Sequence, residues 1–332
     1  MNLISIKDNI GIPKYKQIVA SIEDALMAGL LKKGDKLPSI NKVRNHFDLS
    51  RDTVLMAFNE LKMRGIVESV SGKGYYIKSE DVTVKQKVFL FFDELNAFKE
   101  DIYNAFLEEL SPQFQVDIFF HHFSYDVFKK QILDNVGSYN YYVIMPANLE
   151  NVADVLALLP KEKVFLLDQT NASLIDYSAI YQNFEKDMSD KLTLAMSQIS
   201  KYERIVLVYS PAKQPHGMLK GFQNFINSNQ IQGEVISSLK ERPLAKGEVY
   251  VTLDDRDLIV LIKKMNEQQL ELGSDIGVIS YNDTLLKEVV GNGITTISTD
   301  FKLMGTTLAN MIKNGEQGQV ENPSQLIIRK SL

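Results

Sequence analysis

The chain reads as an α/β protein in two parts. Residues 1–78 form a small module of three helices and a β-hairpin. A polar connector at 79–87 joins it to a larger, doubly wound body of two lobes, 88–332. Three observations predict this. The 332 residues exceed one common domain of roughly 100–200 residues. Helical periodicity followed by one hairpin signal fills the first 78 residues. From Val88 onward, short β-rich runs alternate with helical stretches, the mark of parallel sheets covered by helices.

In the small module, Pro13 can open a helix at its first turn. Tyr15, Ile18, Val19, Ile22 and Leu26 then recur at three- and four-residue steps, up to a stop near Gly29. Leu30–Pro38 is a turn-rich bridge. Ser39 is placed to cap a second helix, Ile40–Phe47, and Ser50 a third, Arg51–Arg64, with Val54, Ala57, Phe58 and Leu61 inward. Gly65 ends the third helix. Ile66–Val70, a turn at 71–74 and Tyr75–Lys78 make the hairpin. In the body the expected strands are Val88–Phe92, Val116–Phe120, Tyr141–Met145, Val164–Asp168, Ile205–Tyr209, Glu234–Ser238, Val249–Leu253 and Ile276–Tyr281. Helical stretches such as Lys99–Leu110 and Met188–Ile199 lie between them.

Composition narrows the function. Apolar residues make up 45% and charged residues 24%, which excludes a disordered, collagen-like or coiled-coil chain. No apolar run nears the roughly 18–20 residues of a membrane span, so no membrane partner is expected. The start, Met1–Asp8, lacks the basic and apolar segments of a signal peptide. Cysteine is absent, which removes disulfides, thiol nucleophiles and Cys-based metal sites. A cytoplasmic location is expected. Residues 1–80 hold 13 Lys/Arg against 9 Asp/Glu, and the rest 24 against 33. A basic module on an acidic body points to an anionic partner at the N-terminus.

Motifs for catalysis are missing: no Gly-x-Gly-x-x-Gly, no Walker loop, no Gly-x-Ser-x-Gly. Asp254-Asp255 are neighbours at one strand end and point apart, which does not suit an acid–base pair. His121-His122 ends an apolar strand without a third ligand nearby, and reads as core or surface. No cofactor and no metal are expected.

Helix, short turn, helix and glycine-containing hairpin is the winged helix-turn-helix arrangement. Its third helix can enter the DNA major groove, and free N–H groups at helix starts can bind phosphates. The blocks Pro13-Lys-Tyr-Lys-Gln-Ile18, Gly34-Asp-Lys-Leu-Pro-Ser39, Leu49-Ser-Arg-Asp-Thr-Val54, Ala57-Phe-Asn-Glu-Leu61, Gly65-Ile-Val-Glu68 and Gly72-Lys-Gly-Tyr-Tyr-Ile77 resemble the DNA-binding domain of GntR-family bacterial transcription regulators. That family usually has Glu-Arg after Leu-Pro-Ser, where this chain has Ile40 and Asn41. It often has Arg where this chain has Leu55. The resemblance implies a DNA interface at Ser39, Asn41, Ser50, Arg51, Asp52, Thr53, Lys73 and Gly74.

In the body, Asp275-Ile-Gly-Val-Ile-Ser-Tyr-Asn-Asp-Thr284, Ile294–Ile297, Asp300-Phe301, Met304-Gly305, Lys220-Gly-Phe222 and Asn96-Ala-Phe98 resemble the periplasmic-binding-protein-like (type I) domain of LacI-type regulators. The other effector domains that accompany this head fail on length or on strand content. The resemblance implies lobe crossings near 184–186, 297–299 and 320–324. It also implies an effector between the lobes, held by Asn96, Phe98, Asn183, His216, Met218, Asp254, Asp255, Asn282 and Phe301. Met218 stands where that family has its sugar-binding Arg, and Asn282 where it has the ligand-facing Asp. His216 is a candidate to supply the missing donor.

Together these readings describe a ligand-responsive repressor of carbohydrate-utilisation genes. Its partners would be double-stranded DNA with a palindromic operator, a second copy of the chain in a homodimer, and a small sugar-like effector. Two other readings stay open: a constitutive DNA binder whose body only oligomerises, and a DNA-tethered enzyme.

Overall fold

A computed structural model describes residues 3–7, 12–82 and 86–332. In the head, α1 (Lys14–Met27) starts after Pro13, whose carbonyl accepts from Lys16 and Gln17. It buries Ile18, Val19, Ile22 and Leu26. Ser39 caps α2 (Ile40–Phe47) by accepting from Lys42 N, and Ser50 caps α3 (Arg51–Met63) by accepting from Thr53 N. Val54, Ala57, Phe58 and Leu61 of α3 complete one core with α1. Gly65, at φ +70°, turns the chain into the hairpin of β1 (Val67–Val70) and β2 (Gly74–Ile77). The bridge before Ser39 is more ordered than expected: it lies along β2, with Leu37 N donating to Tyr75 O at 2.9 Å and Ile77 N to Asp35 O at 2.9 Å.

Arg64, just past α3, is buried. It pairs with Glu23 of α1 and with Glu60 at 3.7 Å, and donates to the Val82 carbonyl at 3.4 Å. It therefore ties two helices of the head to the connector. The connector is shorter than 79–87, because Gln86 and Lys87 already belong to a strand: Gln86 N donates to Gln113 O and Lys87 N to the Asn140 side chain. Residues 83–85 of the connector lie outside the described residues.

The first lobe contains β3 (Gln86–Phe92), α4 (Ala97–Glu109), β4 (Phe114–Phe120), α5 (Tyr125–Asn135), β5 (Tyr141–Ile144), α6 (Val152–Leu156), β6 (Val164–Asp168) and β7 (Ser178–Tyr181). The second contains α7 (Phe184–Leu194), α8 (Met196–Ile199), β8 (Arg204–Val208), α9 (His216–Asn229), β9 (Gly233–Ile236), β10 (Glu248–Thr252), α10 (Asp255–Glu267), β11 (Ile276–Tyr281), α11 (Leu285–Val289) and β12 (Thr295–Thr299). The chain then returns for α12 (Phe301–Asn314) and β13 (Gln319–Glu321) in the first lobe. It ends with β14 (Ser324–Ile327) in the second. The sheet orders are β13-β7-β6-β5-β3-β4, all parallel, and β14-β12-β11-β10-β8-β9, parallel except for β14.

The crossings between lobes fall at 182–183, 300 and 322–323. The expected 184–186 lies in the first turn of α7, and the expected 297–299 lies inside β12. Both sheets are buried on two faces, which explains their unbroken apolar runs. In β3, Val88, Leu90 and Phe92 face α4 and α12, while Phe89 and Phe91 face α5 and α6. Each lobe has one tight helix pair. A Cβ on Gly305 of α12 would lie 2.3 Å from the Ile102 carbonyl of α4. One on Gly221 of α9 would lie 2.3 Å from the Glu185 carbonyl of α7.

Candidate functional site

On the head, the hydroxyls of Ser39 and Ser50 are occupied as helix caps, at 3.2 Å from Lys42 N and 3.1 Å from Thr53 N. Thr53 also lies 2.8 Å from Ser50 through its hydroxyl. The remaining N–H groups in the first turns of α2 and α3 have no acceptor within their own helices, as at any helix start. Asn41, Arg51 and Asp52 are exposed. Lys73 is exposed at the hairpin tip, and Gly74 there has φ +112°. Sequence reasoning missed Lys36, whose ammonium lies 5.7 Å over the Tyr76 ring on the wing, and the exposed Lys42 and Arg44 of α2.

In the body, a cleft of about 490 Å³ opens between the lobes at the C-terminal ends of the strands. Seven of the expected residues line it: Asn96, Phe98, Met218, Asp254, Asp255, Asn282 and Phe301. Asn96 caps α4, Asp254 caps α10, and Phe301 opens α12. Phe98 and Phe301 stack with ring centres 5.2 Å apart, forming one aromatic wall. Two expected residues are not in this cleft. Asn183 caps α7 and donates to Glu321 at 3.0 Å. His216 starts α9, with Nδ1 3.2 Å from the Tyr209 hydroxyl. Both line a neighbouring cavity of about 870 Å³, so His216 does not replace the donor absent at Met218.

The cleft holds polar groups that the motifs did not reveal. Asp93 and Lys99 form an ion pair at 2.5 Å. Asp168, at φ +74°, accepts from Gln182 Nε2 at 2.5 Å. Burial holds the Asp168 carboxyl above the usual carboxylate range, although Lys99 pulls it down. Burial, with Asp187 and Asp168 nearby, holds the Tyr281 hydroxyl well above its ordinary value. Asn282, at φ +62°, is set by Lys287, whose Nζ donates to the carbonyls of Tyr281 at 2.8 Å and Asn282 at 2.7 Å. Asp255 Oδ1 lies 2.9 Å from the same ammonium. Left-handed non-glycine residues thus stand at two strand ends that wall the cleft, as functional sites commonly hold them. One signal could have found Asp93 and Asp168: an acid closing an apolar parallel strand.

The lobes touch across the mouth. Asn148 Nδ2 donates to the Gln214 carbonyl at 2.7 Å, Lys213 pairs with Glu94 at 3.3 Å, and the same ammonium sits 5.1 Å over Phe123. His121 is fully buried in the core, with Nε2 2.9 Å from the Met145 carbonyl, and burial lowers its pKa. Among the described residues no group of His, Asp and Glu is arranged to hold a metal ion, and no helix is long and apolar enough to cross a membrane.

Residues 14–77 match the bacterial regulatory proteins of the gntR family, and residues 200–332 match the periplasmic binding protein-like domain. The HTH-type transcriptional repressor YtrA of Bacillus subtilis is 31% identical over 108 residues, 32% of this chain and 83% of that protein. The chain belongs to the GntR family of bacterial regulatory proteins. Two further relatives of this GntR-family chain are the mannosyl-D-glycerate transport/metabolism system repressor MngR and the lactose operon repressor, both of Escherichia coli. The first is 38% identical over 82 residues, 25% of this chain and 34% of MngR. The second is 26% identical over 141 residues, 38% of this chain and 39% of the repressor. The chain thus spans little more than a third of either. These relatives are transcription regulators. Among solved structures, a dimeric lac repressor matches with a TM-score of 0.62 at 20% identity, covering 74% of this chain and 98% of that one. A LacI family regulator from Lactobacillus casei with bound glucose matches at 0.60 and 16%, covering 74% and 99%. These likenesses establish the fold of the body, two lobes built on mainly parallel sheets.

Proposed function

We propose that this chain is a cytoplasmic repressor that binds a palindromic operator as a homodimer and changes its operator affinity when a small sugar-like effector enters the interlobe cleft. Residues 1–78 are the DNA-binding head, and residues 88–332 the effector and dimerisation body. The observation that carries the proposal is the joining of a winged helix-turn-helix to a cleft with convergent polar groups and one aromatic wall. An aromatic face suits the C–H side of a sugar ring, and the polar groups suit its hydroxyls. A body used only for oligomerisation would have a cleft filled by side chains or without polar lining; this one has about 490 Å³ and a polar lining. Relatives named for sugar-related repression, and a structural relative carrying glucose, support the sugar reading.

On the head, Arg51 reaches base edges or phosphates from the start of α3, and Lys73 and Gly74 bring the wing to the backbone, with Ser39, Asn41, Ser50, Asp52 and Thr53 at the interface. Dimerisation is supported by an exposed apolar cluster on α11: Leu285, Leu286 and Val289 are 82%, 55% and 76% exposed. Closure is transmitted through the connector, which Arg64 ties to the head.

The test is selection of binding sites from random duplex DNA with the full-length protein, followed by titration of the selected site. The proposal expects a two-fold symmetric site bound at least a thousandfold more tightly than unrelated DNA, in the usual range for specific regulators. Binding without sequence preference would overturn it.

A further inference from the structure

The deep wall of the cleft presents acceptors. Gln182 and Tyr281 are both more than nine-tenths buried and both line it. Gln182 spends its Nε2 donor on Asp168, which turns Oε1 away from that carboxylate, and Oε1 has no protein partner. Asn282 Oδ1 and the Tyr281 hydroxyl likewise have none. Buried amide oxygens such as Gln182 Oε1 and Asn282 Oδ1 call for donors from the ligand, whereas the Tyr281 hydroxyl can donate as well as accept.

Arg256 of α10 also lines the cleft but is exposed and forms no ion pair with Asp168; the other cations are committed elsewhere. Lys99 is paired with Asp93, Lys213 with Glu94 and Lys287 with Asp255. Met218, a neutral thioether, also lines the cleft and supplies no charge. Asp168 thus has no cation of its own within ion-pair distance among the described residues. A hydroxyl supplies one donor and no charge. An ammonium supplies three donors and the missing charge.

We infer that the effector carries an amino group: an amine-bearing sugar or polyol whose ammonium sits against Asp168 and donates to Gln182 Oε1 and Asn282 Oδ1. This rests on the reading of the cleft as the effector site and names its chemical class. The stacked Phe98 and Phe301 then take the apolar face of the ring, and the amine sets the choice between otherwise similar sugars. Discrimination of this type is large, because a ligand lacking the donor leaves buried polar groups unpaired.

The experiment is calorimetric titration of the full-length protein with three triplets: glucose, glucosamine and N-acetylglucosamine, and the galactose and mannose counterparts. The expected result is that the free amine binds at least tenfold more tightly than both neutral members of one triplet. Asp168→Asn keeps the side-chain size and is expected to remove that preference. Met218→Arg, a second variant, is expected to invert it. If a neutral sugar binds as tightly as its amine, the amino-group inference is overturned and the effector cleft stands. If no member of any triplet binds, both fall.

Discussion

Lys287 Nζ lies 2.7 Å from the carbonyl oxygen of Asn282. That contact joins the cleft lip to α11, whose apolar side chains, Leu285, Leu286 and Val289, are exposed beside Glu288. Burial pulls the Lys287 ammonium below its ordinary pKa, and Asp255 restrains the fall. Lys287→Met leaves two strand-end carbonyls without their donor. We expect a loss of about 2 kcal/mol of stability, read from the urea midpoint, and at least tenfold weaker effector binding. An unchanged midpoint would show that the loop around Asn282 holds itself.

The two helix pairs are set by glycine. Gly221→Ala and Gly305→Ala each force a methyl group against a backbone carbonyl at 2.3 Å, so the helices must separate. Each is expected to destabilise by about 1–3 kcal/mol, seen as a lower denaturation midpoint. Head binding to DNA in the folded protein should change little.

On the head, Arg51→Ala and Lys73→Ala separate two kinds of contact. Loss of a phosphate contact weakens binding evenly across sequences and reduces the salt slope by about one. Loss of a base contact costs about 1–3 kcal/mol and relaxes one position of the site. Lys73→Ala is expected to follow the first pattern and Arg51→Ala the second. Anisotropy titrations at several salt concentrations distinguish them.

The apolar cluster on α11 predicts an interface between two copies. Leu285→Asp combined with Val289→Asp is expected to give monomers in sedimentation velocity. Because two heads share one operator, affinity for the full site should then fall toward that for a half-site. A dimer that survives both substitutions places the interface elsewhere.

Asp283, next to Asn282, predicts a pH dependence. Desolvation raises its pKa, yet Arg329, at 2.6 and 2.8 Å, and Thr296 lower it more, and the folded carboxyl stays below its ordinary value of 3.8. A carboxyl depressed by folding contributes stability above its unfolded pKa and loses it as pH falls through the folded value. Stability should therefore drop on acidification below that range. Asp283→Asn should flatten the drop while lowering stability at neutral pH.

The head was legible almost residue by residue, because its helices carry caps, a clear apolar stripe and stop signals: Ser39, Ser50 and Gly65 each do in the structure what their chemistry dictates. Strands such as β3 and β11 were legible from apolar runs. β7 and β12 were not, since Ser178-Ala-Ile-Tyr181 and Thr295-Thr-Ile-Ser-Thr299 are small or hydroxyl-rich and owe their burial to neighbours in the sheet. β13 and β14 are short edge strands with polar residues. In the cleft, the motif-bearing loops announced Asn96, Asp254 and Asn282. Asp168, Gln182 and Lys287 lie outside any motif: Asp168 and Gln182 meet because β6 pairs with β7, and Lys287 reaches the Tyr281 and Asn282 carbonyls from α11. Asn183 and His216 stand in the neighbouring cavity because they start α7 and α9, whose first turns face it.

The central claim is that closing the cleft changes operator affinity. The chain has no cysteine, so Glu94→Cys with Lys213→Cys creates one reactive pair where the lobes now meet through an ion pair at 3.3 Å. A short bis-maleimide would lock the lobes together without any effector. Operator affinity of the double variant is then measured before and after cross-linking. The account predicts at least a tenfold change on locking, and no further response to effector. Equal affinity in the open-capable and locked forms would contradict it.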